Sequence, residues 1–305
     1  MILIDKLLRN RKLMPLFALI CAFLWGCGYS VVKSGYAMWN VAADDVPAKI
    51  LFAGIRFLLA GAMVLGWSRL TRRDVRDSAK LPGTLVMALF QTVLQYAFLY
   101  IALAHMTGSA SSVLNQLGAF LLVLLLPLSD KSERMTHSKA AGCILGFAGL
   151  ILINIDGLHF SFSLEGEGCI ILSSITSAIG YVINRKLAKR GYDPILLTGR
   201  QQLIGGGVLT LLGLIMGGRI LPNGIGGVLI ILYLAFSIAA AYVIWSVLLA
   251  SNPVSDVTIY KFATPVFGVL NSAVILGEDI FNLRTIVSLA AVAGGILLVN
   301  RKRSS

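Results

Sequence analysis

The sequence predicts an all-α polytopic membrane protein, with about ten transmembrane helices arranged as two inverted repeats of five. Two observations lead to this prediction: apolar segments of spanning length recur along the whole chain, and the two halves match each other at a nearly constant offset. The 305 residues are 57% hydrophobic and only 13% charged, with a mean hydropathy of +0.84. A soluble protein could not cover so much apolar surface, so the composition indicates that lipid is the solvent.

Apolar segments of sufficient length to cross a hydrocarbon core of about 30 Å recur ten times. In the first half they are 13–33, 47–67, 81–100, 108–128 and 139–155. In the second half they are 166–184, 194–216, 224–250, 253–277 and 283–300. The linkers are too short for a folded soluble domain. We therefore expect one membrane domain, with a first repeat over residues 13–155 and a second over 166–300.

The first twelve residues mix aliphatic with charged side chains, which favours a short interfacial helix on an anionic leaflet. A cleaved signal peptide is the alternative. The apolar run that follows is longer than the usual apolar region of a signal, and no A-x-A site follows it. The four cysteines, Cys21, Cys27, Cys143 and Cys169, lie inside apolar runs without metal-binding spacing, so we expect buried thiols and no metal or cofactor.

An internal repeat relates the two halves. A shift of about 146 residues aligns these pairs without a gap: Ala104 with Ala250, Ser109 with Ser255, Gly149 with Gly295, Leu152 with Leu298, and Asn154 with Asn300. Because each half contains an odd number of spans, the second copy must enter the membrane from the opposite side. Chance similarity between low-diversity apolar sequences is the alternative.

The loop charges give an independent prediction of topology. Basic residues are concentrated in the loops of one side, at 6–12, 69–80, 131–139, 185–190 and 301–303. The other side carries the acidic residues Asp44, Asp45, Asp156, Glu165, Glu167, Glu278 and Asp279. The positive-inside rule therefore places both termini in the cytoplasm of a plasma (inner) membrane. The net charge of +12 is explained by these loops, and we expect no nucleic-acid partner.

Short motifs along the chain resemble those of a known family. They are Trp25-Gly26, Ala53-Gly54-Ile55-Arg56-Phe57, Thr264-Pro265-Val266-Phe267-Gly268 and Leu276-Gly277-Glu278. They are similar to the EamA family of the drug/metabolite transporter superfamily, in two copies over nearly the whole chain. The resemblance implies a ten-helix inner-membrane carrier with inverted five-helix repeats. It further implies alternating access, by which many members export amino acids or related metabolites.

The segment from Asn252 to Glu278 contains the most unusual charged residue. We expect Asn252 to cap a helix and Pro253 to occupy its first position, which places Lys261 roughly 12 Å along the axis. A lysine at the centre of a span costs about 2.5–3.5 kcal/mol and usually faces a cavity or a partner. Under the internal repeat Lys261 aligns with Asn115. We therefore predict that Lys261, with its neighbour Tyr260 and with Asn115, contributes to a substrate site.

Further candidates follow from helical spacing. Trp25, Tyr29 and Lys33 share one helix face at i+4 steps, although Lys33 could instead snorkel to the interface. Other spans contribute Gln91 and Gln95, and Tyr181 with Ser173, Ser177 and Asn184. Such polar stripes equally serve as interhelical glue. Arg56 lies roughly 13 Å into its span, and an anchoring role on helix-end carbonyls is favoured over substrate binding.

These observations favour a secondary carrier of a small metabolite. A membrane enzyme would need a nucleophile with a base, or a metal cluster, and the three histidines lie near loops. A channel would need pore-lining rings. A drug permease and a non-transporting receptor or scaffold are alternative functions that the sequence leaves open. The formation of a homodimer is left open as well. We interpret the Gly142-x-x-x-Gly146 spacing as helix packing, and Gly205-Gly206-Gly207 as softening the seventh helix.

Overall fold

The computed structural model describes residues 7–42, 44–71, 81–105, 114–129, 136–153, 163–276 and 283–300. Within these residues the regular secondary structure is entirely helical, which confirms the predicted all-α class. Several predicted features lie outside the described ranges: the first six residues of the interfacial helix, the basic loop residues 72–80, and the acidic residues Asp156 and Glu278.

The described residues of the first half contain six α-helices. They are α1 (Met14–Met38), α2 (Val46–Leu70), α3 (Leu81–Ala88), α4 (Gln95–His105), α5 (Leu117–Ser129) and α6 (His137–Ile153). A π-helical turn, Leu89–Leu94, joins α3 to α4. Each helix overlaps one predicted span, because apolar side chains follow one another with few charged interruptions.

The described residues of the second half also contain six α-helices. They are α7 (Cys169–Lys189), α8 (Pro194–Ile215), α9 (Gly224–Ser251), α10 (Val254–Thr258), α11 (Ala263–Leu276) and α12 (Leu283–Asn300). The π-helical turn Leu164–Gly168 precedes α7, and the 3₁₀ turn Ile259–Phe262 joins α10 to α11.

Five helices of the described part are long and apolar enough to cross a membrane: Met14–Met38, Val46–Leu70, Leu81–Ala102, Leu164–Lys189 and Gly224–Ser251. Helix α8 has 22 residues and is not among them. It carries Arg200, Gln201 and Gln202 in its middle, and both glutamines are fully buried. The two glutamines are therefore covered by neighbouring helices, whereas Arg200 is partly exposed.

Aspartate caps start α2 and α8 in the same way. The Asp45 carboxylate accepts a hydrogen bond from the Ala48 amide at 2.8 Å, and Asp193 accepts one from the Ile195 amide at 2.8 Å. A proline lies at the start of each helix, where its missing N–H is not needed. The two halves thus begin equivalent helices with the same sequence device.

Helices α2 and α8 pack closely and run antiparallel. Gly54 lies against Thr210, Gly61 against Leu203, and Gly213 against Leu51, so ascending positions on one helix meet descending positions on the other. A methyl group added at these glycines would touch neighbouring backbone. In lipid, helix association depends on such contact, and small residues permit it.

Helices α6 and α12 form a second antiparallel pair. A methyl group at Gly149 would lie 2.9 Å from the Ser288 carbonyl oxygen, and one at Gly295 would lie 2.6 Å from the Gly142 carbonyl oxygen. Gly146 packs against the Phe262 ring. The small-residue spacing interpreted above as packing therefore lies in a contact within one chain.

The three consecutive glycines of α8 do not interrupt it. The helix is continuous from Pro194 to Ile215, and the softening inferred from the sequence stays a prediction. Gly205 packs against Thr92, and Gly206 lies against the backbone of Phe57 and Leu58. Gly205 leaves room for the π-helical turn to approach α8, and Gly206 leaves room for α2.

We predict that Gly206→Ala destabilises the protein while Gly207→Ala does not. The new methyl at position 206 meets α2 backbone, whereas at position 207 it finds only the end of the Leu58 side chain, at 4.0 Å. Overpacking of this kind costs about 1–3 kcal/mol. Thermal melts of the purified variants in detergent measure the difference, and equal melting temperatures would contradict the packing argument.

Candidate functional site

Lys261 lies at the break between α10 and α11, and its ammonium group faces two aromatic rings. The nitrogen is 5.4 Å from the centroid of the Trp25 ring and 4.8 Å from that of Tyr181. Both distances fall within the cation–π range of about 6 Å. The lysine side chain retains some accessible surface, whereas Tyr181 is buried. The ammonium thus lies against two ring faces, on a residue that is only partly buried.

The local backbone differs from the expected single helix. Asn252 does not cap the following helix: its side-chain amide donates to the Leu248 carbonyl at 3.1 Å, at the end of α9. Pro253 is the residue before α10, which begins without a side-chain cap. After five residues the chain tightens into the 3₁₀ turn that carries Lys261. A 3₁₀ stretch within a helix often marks a hinge or a functional segment.

Six rings around and beyond Lys261 form what we call the aromatic cluster: Trp25, Phe57, Tyr96, Tyr181, Tyr242 and Trp245. The Trp25 ring packs edge-on against Trp245 at 5.0 Å and against Tyr242 at 5.8 Å, measured between centroids. Trp245 is 1% exposed and also contacts Tyr181. Helices α1, α7 and α9 supply Trp25, Tyr181 and Trp245, so the lysine pocket exists only when these three helices pack.

The far side of the aromatic cluster is centred on a pair of tyrosines. The hydroxyl groups of Tyr96 and Tyr242 are 3.0 Å apart and hydrogen-bonded. The Phe57 ring lies 4.4 Å from the Tyr96 ring and 6.3 Å from the Tyr242 ring. Through Tyr242, which touches both Trp25 and Phe57, the rings are continuous from Lys261 to α2.

Arg56, on α2, lies at the end of this row of rings, next to Phe57. Its guanidinium carbon is 5.3 Å from the Phe57 ring centroid, and the residue is 6% exposed. Tyr36, Tyr96, Tyr100 and Tyr242 lie near enough to interact electrostatically with the charge. The buried Nε has no hydrogen-bond partner within the described ranges. No described carbonyl anchors the guanidinium, so the favoured interpretation of Arg56 as a helix-end anchor has no support here.

Carboxylates are absent from the helix interiors in the part of the chain that the structure describes. The described acidic residues lie near helix ends: Asp44, Asp45, Glu165, Glu167, Asp193 and Asp256. Asp256, five residues before Lys261, is engaged elsewhere, 3.4 Å from the Lys139 ammonium and 3.7 Å from the Arg11 guanidinium. Among the described side chains, no group of histidine, cysteine or acidic residues is placed to hold a metal ion.

The glutamines lie at the edge of the site. Gln91 is 1% exposed and lies beside the Tyr181 hydroxyl, and its side-chain oxygen lacks a partner among described residues. The spacing analysis put Gln91 and Gln95 on one face. The π-helical turn changes this register, because its hydrogen bonds join residues five apart and bring Tyr96 into line with Gln91. A π turn of this kind often accompanies a functional site.

The remaining candidates are placed less centrally. Lys33 is exposed, two turns beyond Trp25, and the Tyr29 side chain lies outside the described part. Tyr260 is buried next to Asp256, on the outer side of Lys261. Asn115 is partly exposed, and its backbone carbonyl lies 3.5 Å from the Ser174 hydroxyl. Of the sequence candidates, Trp25, Tyr181 and Gln91 join Lys261, and Arg56 joins through the rings.

The polar stripe of α7 is mostly structural. Ser173 donates to the Gln95 carbonyl at 2.8 Å, and the Asn184 amide donates to the Ser246 hydroxyl at 2.8 Å. These bonds tie α7 to α4 and α9, as interhelical glue does. Only Tyr181 of the stripe reaches the lysine pocket.

Sequence reasoning missed Tyr96, Tyr242 and Trp245. One signal was present: Tyr96 and Tyr242 are separated by 146 residues, the offset of the internal repeat. Equivalent residues of two repeats related by a two-fold axis can touch only on that axis. Trp245 carried no comparable signal, because a tryptophan in an apolar run is most often core.

Comparison with known proteins gives a consistent result. The chain matches the EamA-like transporter family over residues 12–155 and again over 164–301. An "Uncharacterized transporter" of Archaeoglobus fulgidus is 26% identical over 92% of this chain and 95% of its own length. A "Probable amino-acid metabolite efflux pump" of Salmonella typhimurium is 24% identical over 91% of each chain.

Two further similarities agree. The "Uncharacterized inner membrane transporter YedA" of Escherichia coli K12 is 24% identical over 96% of this chain and 92% of its own. A solved crystal structure superposes with a TM-score of 0.81 at 17% identity, covering 95% of this chain and 97% of the other, which shows a shared fold. Because the family match extends over both halves of the sequence, the chain belongs to the EamA-like transporter family.

Proposed function

We propose that this protein is a secondary transporter of a small carboxylated metabolite, and that Lys261 binds the carboxylate. The observation that carries the proposal is the position of the lysine: its ammonium lies between Trp25 and Tyr181 with no described carboxylate to neutralise it. A substrate anion supplies the missing counter-charge, and the rings pack against the rest of the molecule.

The proposed architecture is ten transmembrane helices in two inverted five-helix repeats, residues 13–155 and 166–300. The antiparallel packing of α2 with α8 and of α6 with α12 supports it, as does the tyrosine pair at the repeat offset. Irregular backbone also recurs: a turn at Gln116 separates Asn115 from α5, and the 3₁₀ turn carries Lys261, which aligns with Asn115. Broken helices at a midplane site are typical of such carriers.

In this proposal the protein works by alternating access in the plasma membrane, with both termini in the cytoplasm. The segregation of basic loops supports the orientation. The proposed direction of transport is export, and the proposed substrates are amino acids or related compounds. The printed name of the Salmonella typhimurium relative supports this choice, as does the anion-selective character of the lysine pocket.

A drug permease of the same fold is the second candidate. Many drugs are cationic, and two cations, Lys261 and Arg56, together with the absence of a described interior carboxylate, disfavour them. Like charges repel strongly where the effective dielectric constant is low. The site therefore selects anions or zwitterions over cations. A non-transporting receptor of the same fold would bind such a ligand without moving it.

We predict the topology from the basic loops. Reporters fused after Arg76, Lys131 and Arg190 will report the cytoplasm, and reporters at Asp45 and Glu165 will report the outside. The measurement is paired alkaline phosphatase and green fluorescent protein fusions. A periplasmic signal at Arg76 is incompatible with the inverted repeats proposed here.

We predict transport without nucleotide. Purified protein in liposomes will move a labelled amino acid or short carboxylic acid down its gradient, since a secondary carrier needs no ATP. Protein-free liposomes provide the background. A strict requirement for ATP would rule out the proposal, and binding without any flux would favour a receptor.

We predict that Lys261→Met weakens carboxylate binding and leaves the fold intact. Hydrogen bonds to charged groups contribute about 1.5–3 kcal/mol, so the affinity should fall by about 10- to 100-fold. Methionine suits an apolar interior better than an ammonium, so the melting temperature should change little. A thermal-shift screen with amino acids and short carboxylic acids selects the ligand.

The matched control is Lys186→Met, which removes an exposed lysine near the end of α7 and should bind as the parent does. If Lys261→Met binds and transports normally, Lys261 is not the anion site. If it fails to melt cooperatively, the lysine is structural.

A further inference from the structure

We propose that Arg56 forms a second anion-binding subsite across the aromatic cluster from Lys261, so that the preferred substrate carries two anionic groups. The inference rests on the proposed function, in which Lys261 binds a carboxylate. It extends that function by naming the class of substrate: an elongated dianion, such as a dicarboxylate, whose spacer is apolar.

The first argument is an unpaired charged donor. The Arg56 Nε is buried and has no hydrogen-bond partner among the residues described. The Tyr36 hydroxyl, which interacts electrostatically with the Arg56 charge, is also buried and lies close to Tyr100. A buried donor left without a partner costs about 1–3 kcal/mol, and more when it is charged. The Arg56 guanidinium therefore offers a place for an anionic oxygen.

The second argument is charge. Arg56 is 6% exposed and has no described carboxylate near it, and an uncompensated buried charge is strongly destabilising. The Phe57 ring and the tyrosine hydroxyls reduce that cost without cancelling the charge. A guanidinium matches a carboxylate in shape and binds it through two parallel hydrogen bonds. One carboxylate of the substrate would pair with Arg56, and a second carboxylate would pair with Lys261.

The third argument is position. Arg56 follows the start of α2 by ten residues, which is about 15 Å along the axis, near the place where Gly206 meets α2. The rings of Trp25, Tyr242 and Phe57 lead from Lys261 to this point, each within 6.3 Å of the next. The side chains between the two cations are therefore aromatic, and Phe57 and Tyr242 are buried, so an apolar spacer suits this path better than a polar one.

The test compares ligands that differ by one charge. Straight-chain dicarboxylates from succinate to sebacate, and their monomethyl esters, are titrated onto the purified full-length protein by calorimetry or thermal shift. The diacid of the best length should bind at least about tenfold more tightly than its monoester, which corresponds to about 1.4 kcal/mol. Equal affinities across the series overturn the inference. This comparison needs no variant.

The second arm uses variants. Arg56→Gln should lower diacid affinity to that of the monoester and leave the monoester unchanged, while Arg56→Lys should keep part of the difference. Arg190→Gln, which removes an exposed charge, is the control and should change neither affinity. If Arg56→Gln weakens diacid and monoester equally, the arginine supports the fold or the whole site, and the inference fails.

The outcomes separate this inference from the proposed function. Lys261→Met should weaken both diacid and monoester. If it affects neither, or if no carboxylate of any kind binds, the proposed function fails. If monocarboxylates bind through Lys261 and no diacid gains from Arg56, the proposed function stands and the second subsite is wrong.

Discussion

Lys261 and Arg56 lie inside this protein among aromatic rings, with no carboxylate of the described residues beside them, and the rest of the site depends on that imbalance. A lysine at the middle of a span costs about 2.5–3.5 kcal/mol. Two cation–π contacts return about 0.5–2 kcal/mol each. The ring faces of Trp25 and Tyr181 therefore roughly offset the cost of Lys261 without leaving it satisfied. This incomplete compensation is the feature on which the proposed carboxylate site rests.

Much of the fold follows from the sequence, because apolar runs bounded by charged loops determine where helices start and end. Asp193-Pro194 marks a helix start that the structure places at the same residue. The 3₁₀ turn at Lys261 and the π turn at Gln91 were not predictable in this way. Their hydrogen-bond patterns are imposed by packing against other helices, and no local propensity distinguishes them from a regular helix. Because of each irregular segment, the side chains that follow it point in a direction that differs from the predicted one by a fraction of a helical turn.

The site itself was half predictable. Lys261 and Arg56 stand out because charge is rare in apolar segments, and Trp25 and Tyr181 because aromatic residues stand on polar faces. Tyr242 and Trp245 come from α9, which is apolar all round, so no periodicity selects the residues that face inward. The serines of α7 are the opposite case. Their spacing is compatible with lining a cavity, yet the Ser173 hydroxyl donates a hydrogen bond to a carbonyl of α4. Only tertiary contacts separate these two roles.

The hydrogen bond between Tyr96 and Tyr242 has a geometric consequence for motion. In a carrier built from inverted repeats, the inward-facing and outward-facing states exchange the conformations of the two halves. In that exchange a contact between non-equivalent residues becomes its symmetry-related contact, in which the two repeats change places. A contact between equivalent residues is its own counterpart. Under the inverted-repeat architecture proposed above, the tyrosine pair would therefore persist in both states and serve as the fulcrum on which the halves rock.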